Sequence, residues 1–249
     1  PAARAHDHPE DPMIDLYYWP TPNGWEISIA LEEMELPHQV LPVNIGRGEQ
    51  FTPSFLAISP NGRMPAIVDH EPLGGGEPLS IFESGAILLY LAEKSGRFLP
   101  QAPDARYDVV QWLMWQMGGL GPMLGQNGHF RLYAPEPVPY AQDRYTREAE
   151  RLYGVLDKQL AEREYICGDY SLADMACWPW VITYKSQGIS LDEQFPNVRR
   201  WYDLCKQRPC LRRGYQVGRE HGKPGKMDPK AKEILLGQKP AAGEAGPGN

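Results

Sequence analysis

No cysteine precedes Cys167 in this 249-residue chain. The four that exist, Cys167, Cys177, Cys205 and Cys210, form no C-x-x-C pair and lack the spacing of a zinc site. A redox or metal centre built on thiols is thereby excluded from the first half. The cysteines read as reduced packing residues, with Cys177, inside ADMACWPW, a small hydrophobe among larger ones. Positive charge is also scarce: 25 Lys and Arg against 32 Asp and Glu give a net charge of -7, the opposite of the basic footprint carried by nucleic-acid binders. No apolar run approaches the roughly 20 residues of a membrane-spanning helix, and no signal-like segment precedes the first strand. A cytoplasmic protein without a membrane or nucleic-acid partner is expected. Pro1 in place of an initiating methionine leaves a processed or truncated start open. A nucleotide loop is missing too, because Gly119-Leu120-Gly121 with Gly125 follows no strand, is not G-x-G-x-x-G, and lacks the Walker Lys-Ser/Thr.

The chain has 42% apolar and 23% charged residues, a composition that can bury a core, and a length for one large or two modest domains. Residues 1–12 lack apolar periodicity and are expected to be a disordered extension, with His6 and His8 solvated rather than metal-bound. Residues 13–94 mix strands and helices. IDLYYW reads as a strand broken by Pro20-Thr21-Pro22-Asn23-Gly24. WEISIALEEME has helical spacing, with Ile27, Ala30, Leu31 and Met34 on one face, until Leu36-Pro37 stops it. HQVLPVNI, MPAIVD and PLSIF read as further strands, the last two joined across Gly74-Gly75-Gly76 as an antiparallel hairpin. The expected order is β-α-β-α-β-β-α. Residues 95–104 are a Gly/Pro/polar linker. Residues 105–218 are helical throughout: YDVVQWLMWQMGGLGPML, YAQDRYTREAERLYGVLDKQLAE, SLADMACWPWVITY and FPNVRRWYDLCKQR all carry the helical period. Residues 219–249, rich in Lys, Gly and Pro, are expected to be a disordered tail.

Glu83-Ser84-Gly85 opens the helix that follows the hairpin. A helix start leaves backbone N–H groups unpaired and carries partial positive charge, so Ser84 can cap it or present donors to a small carboxylate. Both readings stand on spacing alone. Ser171-Leu172-Ala173-Asp174 is a capping box, which gives Asp174 a structural role. The Trp112, Met114, Trp115 and Met117 cluster reads as core and interface, with part of it able to wall a pocket.

The motifs P-N-G-R-M-P-A-I, F-E-S-G-A-I-L-L-Y-L and G-D-Y-S-L-A-D, running from an α/β half into an all-helical half, resemble the cytosolic glutathione S-transferases over about residues 13–217. TPNG after the first strand, GEQF at 48–51 and QWLMWQMGGLGPMLGQNGHF resemble more narrowly the bacterial Nu class, related to the Ure2-like disulfide-bond oxidoreductases. The resemblance implies a thioredoxin-like glutathione-binding domain over 13–94 and an α-helical bundle domain over 105–218. It implies glutathione as co-substrate, as two glutathiones or one glutathione disulfide, with a homodimer and a small-molecule disulfide or electrophile as partners. Carried onto this chain, Ser84 would hold the γ-glutamyl carboxylate and Glu83 would face its ammonium. Met64, before a cis Pro65, would pair its backbone with the cysteinyl segment. Gln50 would reach the glycyl end, and Arg144 would lie near the ligand, unless it is simply a surface arginine.

Many relatives place Tyr, Ser or Cys at the first strand-to-helix turn, where this chain has Thr21 and Asn23. Neither is a base or nucleophile at neutral pH, but both can donate hydrogen bonds to a thiolate beside the helix start. A free thiol titrates near 8.5, and each unit of depression needs about 1.36 kcal/mol. A helix terminus contributes roughly 0.3–1 kcal/mol and a charge-assisted hydrogen bond about 1.5–3, so two donors suffice for one to two units. The competing reading is that Thr21 and Asn23 only build the turn and cap the helix. With no thiol at that turn, the attacking sulfur must come from glutathione. The resemblance to the Nu class implies, as the expected function, glutathione-dependent disulfide reduction with some peroxidase activity. Conjugation of electrophiles, a noncatalytic Ure2-like glutathione-binding regulator, and an interaction module with a vestigial site remain open alternatives.

Overall fold

A computed structural model describes residues 13–221 and 229–237. Its N-terminal part is a four-stranded sheet in the order β2-β1-β3-β4, from β1 (Ile14–Tyr18), β2 (His38–Pro42), β3 (Ala66–Asp69) and β4 (Leu79–Phe82). β1 and β2 run parallel, with Ile14 opposite His38 and Tyr18 opposite Pro42. Parallel neighbours need a crossover, and α1 (Pro22–Met34) supplies it. β3 is antiparallel to both β1 and β4, with Leu16 opposite Ile67 and Ala66 opposite Phe82. Gly74, Gly75 and Gly76 all have positive φ, 86°, 75° and 107°, a run that side-chain-bearing residues rarely adopt. With α2 (Pro53–Leu56) and α3 (Ser84–Ser95), the β-α-β-α-β-β-α order read from the sequence is the one the chain adopts.

α1 begins with Pro22 in its first turn, where the missing N–H costs nothing. It ends at Glu35, whose φ of 56° is left-handed. Ten of its thirteen residues are buried, so it is covered on all sides, as a helix between layers must be. It packs on α3, on α7 (Leu172–Val181) and on α10 (Pro209–Gln216).

The C-terminal part is helical, as expected. α4 (Pro103–Trp115) does not run straight on into α5 (Gly121–Gly128): a π-helical turn over Gln116–Leu120 separates them, and a second over His129–Tyr133 follows α5. The sequence period alone predicts a continuous helix there. Gly118 and Gly119 weaken it and Pro122 has no N–H to give, so the ladder widens and Gly121 N–H donates to Gln116 O. α6 (Pro139–Gln159), α8 (Leu191–Gln194) and α9 (Pro196–Gln207) complete this part. The capping box forms as read: Ser171 Oγ accepts from Ala173 N at 3.3 Å, and Asp174 Oδ2 accepts from Ser171 N at 2.9 Å. Asp174 Oδ1 also accepts from Ile166 N at 3.0 Å and from the Trp201 indole at 2.8 Å.

The stretch from 219 onward differs from its composition-based expectation. Arg219–His221 is a short 3-10 turn whose His221 stacks on Trp19, and α11 (Pro229–Gly237) is a helix. Ala231 and Ile234, three residues apart and so on one face, are buried, and Ala231 lies against Gly46. One apolar face of a short helix was enough to anchor it. Residues 1–12, 222–228 and 238–249, including His6 and His8, lie outside the described residues.

Candidate functional site

Three turns converge at the start of α1. The first is Trp19–Asn23. Thr21 occupies the cap position of α1, yet its side chain makes no capping bond; the hydroxyl donates instead to Met64 Sδ at 3.9 Å. A capping threonine would turn its oxygen to the helix N–H groups, so the hydroxyl is left free of that task. Asn23, half-buried one turn on, makes no side-chain hydrogen bond among the described residues.

The second turn is Asn61–Pro65. Met64-Pro65 is cis, and Thr21 and Met64 are brought together as above. Met64 lies beside a small apolar cluster of Val43, Phe55 and Ala66, which fixes the edge of β3. Gln50 is 2% exposed; its Nε2 donates to Ile45 O at 3.3 Å and its Oε1 has no partner among the described residues. A buried acceptor without a donor is uncommon in folded proteins and suits a ligand N–H.

The third turn is Phe82–Gly85. Glu83, not Ser84, holds the cap position, with φ 70° and ψ 114°. For a side-chain-bearing residue this conformation costs on the order of 1–3 kcal/mol, and such strain gathers at functional sites. Neither Glu83 nor Ser84 caps with its side chain. Glu83 accepts from Asn61 Nδ2 at 3.4 Å, and Ser84 Oγ donates to Met117 Sδ at 3.6 Å. The N–H groups that open α3 therefore stay available to an anion, with a hydroxyl beside them and a carboxylate facing outward.

Arg144 stands apart. It lies exposed on α6 and lines a cavity of about 500 Å³ with Tyr140, Arg147 and Arg151. Its charge acts on Glu148, and no hydrogen bond joins it to Thr21, Gln50 or Ser84 among the described residues.

One residue escaped the sequence reading. Glu26, on α1 one turn after Asn23, is fully buried behind Ser84. Its Oε1 accepts from the Trp180 indole and from Gln116 Nε2, both at 2.8 Å, while Oε2 has no partner. Burial raises its carboxyl to about 8, against the lowering effect of Ser84, Trp180 and Gln116. The Ser84 hydroxyl is near enough to favour the charged carboxyl but is seated on Met117 Sδ rather than in hydrogen-bond geometry to Oε2. An acid amid the apolar residues of WEISIALEEM was the available signal.

The protein's own thiols play no part in this cleft. Burial pushes Cys177 and Cys205 well above the ordinary thiol range and Cys167 up to about 12. Among the described residues no cluster of His, Cys, Asp and Glu could hold a metal, and no helix is long and apolar enough to cross a membrane.

Family models for the glutathione S-transferase N-terminal domain and C-terminal domain match residues 12–93 and 139–204. The disulfide-bond oxidoreductase YfcG of Escherichia coli K12 is 55% identical over 199 residues, 80% of this chain and 92% of the relative. A glutathione transferase family member from Pseudomonas fluorescens, solved with two glutathiones bound, is 44% identical with a TM-score of 0.77, covering 85% of this chain and 95% of that one. A glutathione transferase from Pseudomonas putida, solved with one glutathione disulfide per subunit, is 42% identical with a TM-score of 0.79, covering 85% and 94%.

Proposed function

The chain belongs to the glutathione S-transferase family, and on that premise we propose that it reduces disulfides with glutathione, whose sulfur does the attacking. The observation that carries this reading is the Thr21 hydroxyl: it occupies a helix cap without capping, and it already donates to a sulfur. A bound thiolate in place of the thioether would receive a stronger, charge-assisted bond, supported by the N-terminus of α1.

In the first step a glutathione thiolate attacks one sulfur of the substrate disulfide, forming a mixed disulfide and expelling the other sulfur as a thiolate. A second glutathione thiolate then attacks the glutathione sulfur of the mixed disulfide, forming glutathione disulfide and expelling the second substrate thiolate. The two protons lost by the glutathione thiols end on the two substrate thiols. No protein thiol is oxidised, in keeping with a cleft that has none.

Thr21 and Asn23 supply the donors to sulfur. Ser84 and the N–H groups of α3 hold the γ-glutamyl carboxylate, and Glu83 holds its ammonium. The Met64 backbone, set by cis Pro65, pairs with the cysteinyl residue, and the open acceptor of Gln50 takes an N–H at the glycyl end. Arg144, exposed on α6, supplies a positive charge near the ligand in this reading. A homodimer belongs to this reading, with exposed Tyr107 and Met114 on α4 and Tyr140 on α6 as candidate contacts. A cytoplasmic setting suits a reaction that consumes reduced glutathione.

The test is a parallel assay with a small disulfide, a hydroperoxide and an aryl halide. Disulfide reduction should be the fastest, and Thr21→Ala with Asn23→Ala should lower its turnover by several orders of magnitude. Retained turnover in that double variant overturns the assignment.

A further inference from the structure

Glu26, Gln116 and Trp180 form a buried polar cluster next to the Ser84 hydroxyl, and two of its acceptors, Glu26 Oε2 and Gln116 Oε1, have no partner among the described residues. An orphaned carboxyl oxygen in a buried site next to a hydroxyl implies a missing hydrogen. A proton on Glu26 supplies it, and no charge of either sign among the described residues acts to drive that proton off. The groups facing the carboxyl are Gln116 from the π-helical turn, Trp180 and the neutral Cys177 thiol from α7, and Ser84 from α3. Arg208, at the cap of α10, and Arg213, on α10, are held at the other end of α1 by Glu33 and Glu32.

We propose that Glu26 is a positioning residue for the carboxylate subsite: in its protonated form Oε2–H donates to Ser84 Oγ, and this turns the single Ser84 proton outward to a bound carboxylate. A serine hydroxyl has one proton to give. Ionised Glu26 competes for it, draws it inward, and adds a negative charge behind the anion site. Ligand binding and protonation of Glu26 therefore favour each other. The raised carboxyl of Glu26 places the changeover near pH 8, within the range in which the enzyme would work. The inference rests on the reading of Ser84 as the γ-glutamyl carboxylate site.

Calorimetry with S-methylglutathione, which has no thiol to titrate, tests it between pH 6 and 9, in pairs of buffers with different ionisation enthalpies. Wild type, Glu26→Gln and Ser84→Ala are compared. Gln keeps the carbonyl that Gln116 and Trp180 bond and puts a permanent donor toward Ser84. The Kd of wild type should hold steady at low pH and climb toward about tenfold per unit above about 8, with net proton uptake on binding. Glu26→Gln should keep the low-pH affinity within about threefold and show only the proton exchange of the ligand amine. Ser84→Ala should bind at least about tenfold more weakly at low pH and lose the excess uptake. Wild type and Glu26→Gln with the same pH profile and uptake overturn the role of Glu26 and leave the glutathione site standing. Should Glu26→Gln not fold, equal uptake by wild type and Ser84→Ala overturns it as well. Wild type that fails to bind at any pH overturns the glutathione reading itself and this inference with it.

Discussion

Arg208 grips Glu33 with both prongs of its guanidinium, Nε to Oε1 at 2.8 Å and Nη2 to Oε2 at 2.7 Å, and so ties α10 to α1. The Glu33 side chain is only 3% exposed, and the guanidinium also lies 3.7 Å over the Tyr170 ring. Arg208 is itself half-buried, and removing it leaves the buried charge of Glu33 uncompensated. Arg208→Ala should therefore lower stability by roughly 3–5 kcal/mol, read from urea unfolding, and Arg208→Lys should restore only part of it because a point charge cannot replace the fork.

Gly214 is a point of close approach between α10 and α1. A methyl group there would lie 2.5 Å from Ile29 Cα and 2.7 Å from Ser28 O, and Ser28 Oγ donates to Gly214 O at 2.8 Å. Backbone cannot step aside as a side chain can. Gly214→Ala should cost at least about 1–3 kcal/mol, with a visible loss of tertiary signal in near-UV circular dichroism.

Thr21→Ala alone removes one donor to the sulfur. At about 1.5 kcal/mol for that bond, the bound thiol should titrate about one unit higher. Since only the thiolate attacks, turnover should fall about tenfold or more at pH 6.5 and recover at pH 9. A uniform loss at every pH would instead mark a packing defect.

The proton on Glu26 also bears on stability without ligand. Its carboxyl is raised from 4.5 to about 8 by burial, so the folded protein holds a proton that the unfolded chain releases. The resulting stabilisation is complete below about 4.5 and is lost as pH rises through about 8, on the order of a few kcal/mol in all. Glu26→Gln should flatten this decline in urea melts from pH 5 to 9. Asp174, raised to about 6 by burial, adds a smaller decline of the same sign that the variant retains.

Sequence reading succeeded where chemistry is local. Pro22, the Gly74–Gly76 run, Leu36-Pro37 and the Ser171–Asp174 box each dictate backbone geometry within a few residues, and the elements they bound were legible. Ser84 was legible as a candidate for holding an anion, but that it does not cap was not legible, because the cap falls on Glu83, whose left-handed φ no propensity favours. Glu26 was hidden by the opposite effect: one acid in an apolar helix looks like its solvent face. Only the placement of α7 and the π-helical turn, remote in sequence, shows that it has none. α11 was missed because two buried contacts, rather than composition, hold it down.

α1 has no outward side to spare, and this bears on how the protein can be divided. Residues 13–94 look like a unit when cut by motif, yet α1 turns Ile29 and Glu33 toward α10 and Glu26 toward α7. Expressed alone, that half would present two acids and an apolar flank to water. It should be recovered as aggregate rather than as a small glutathione-binding protein.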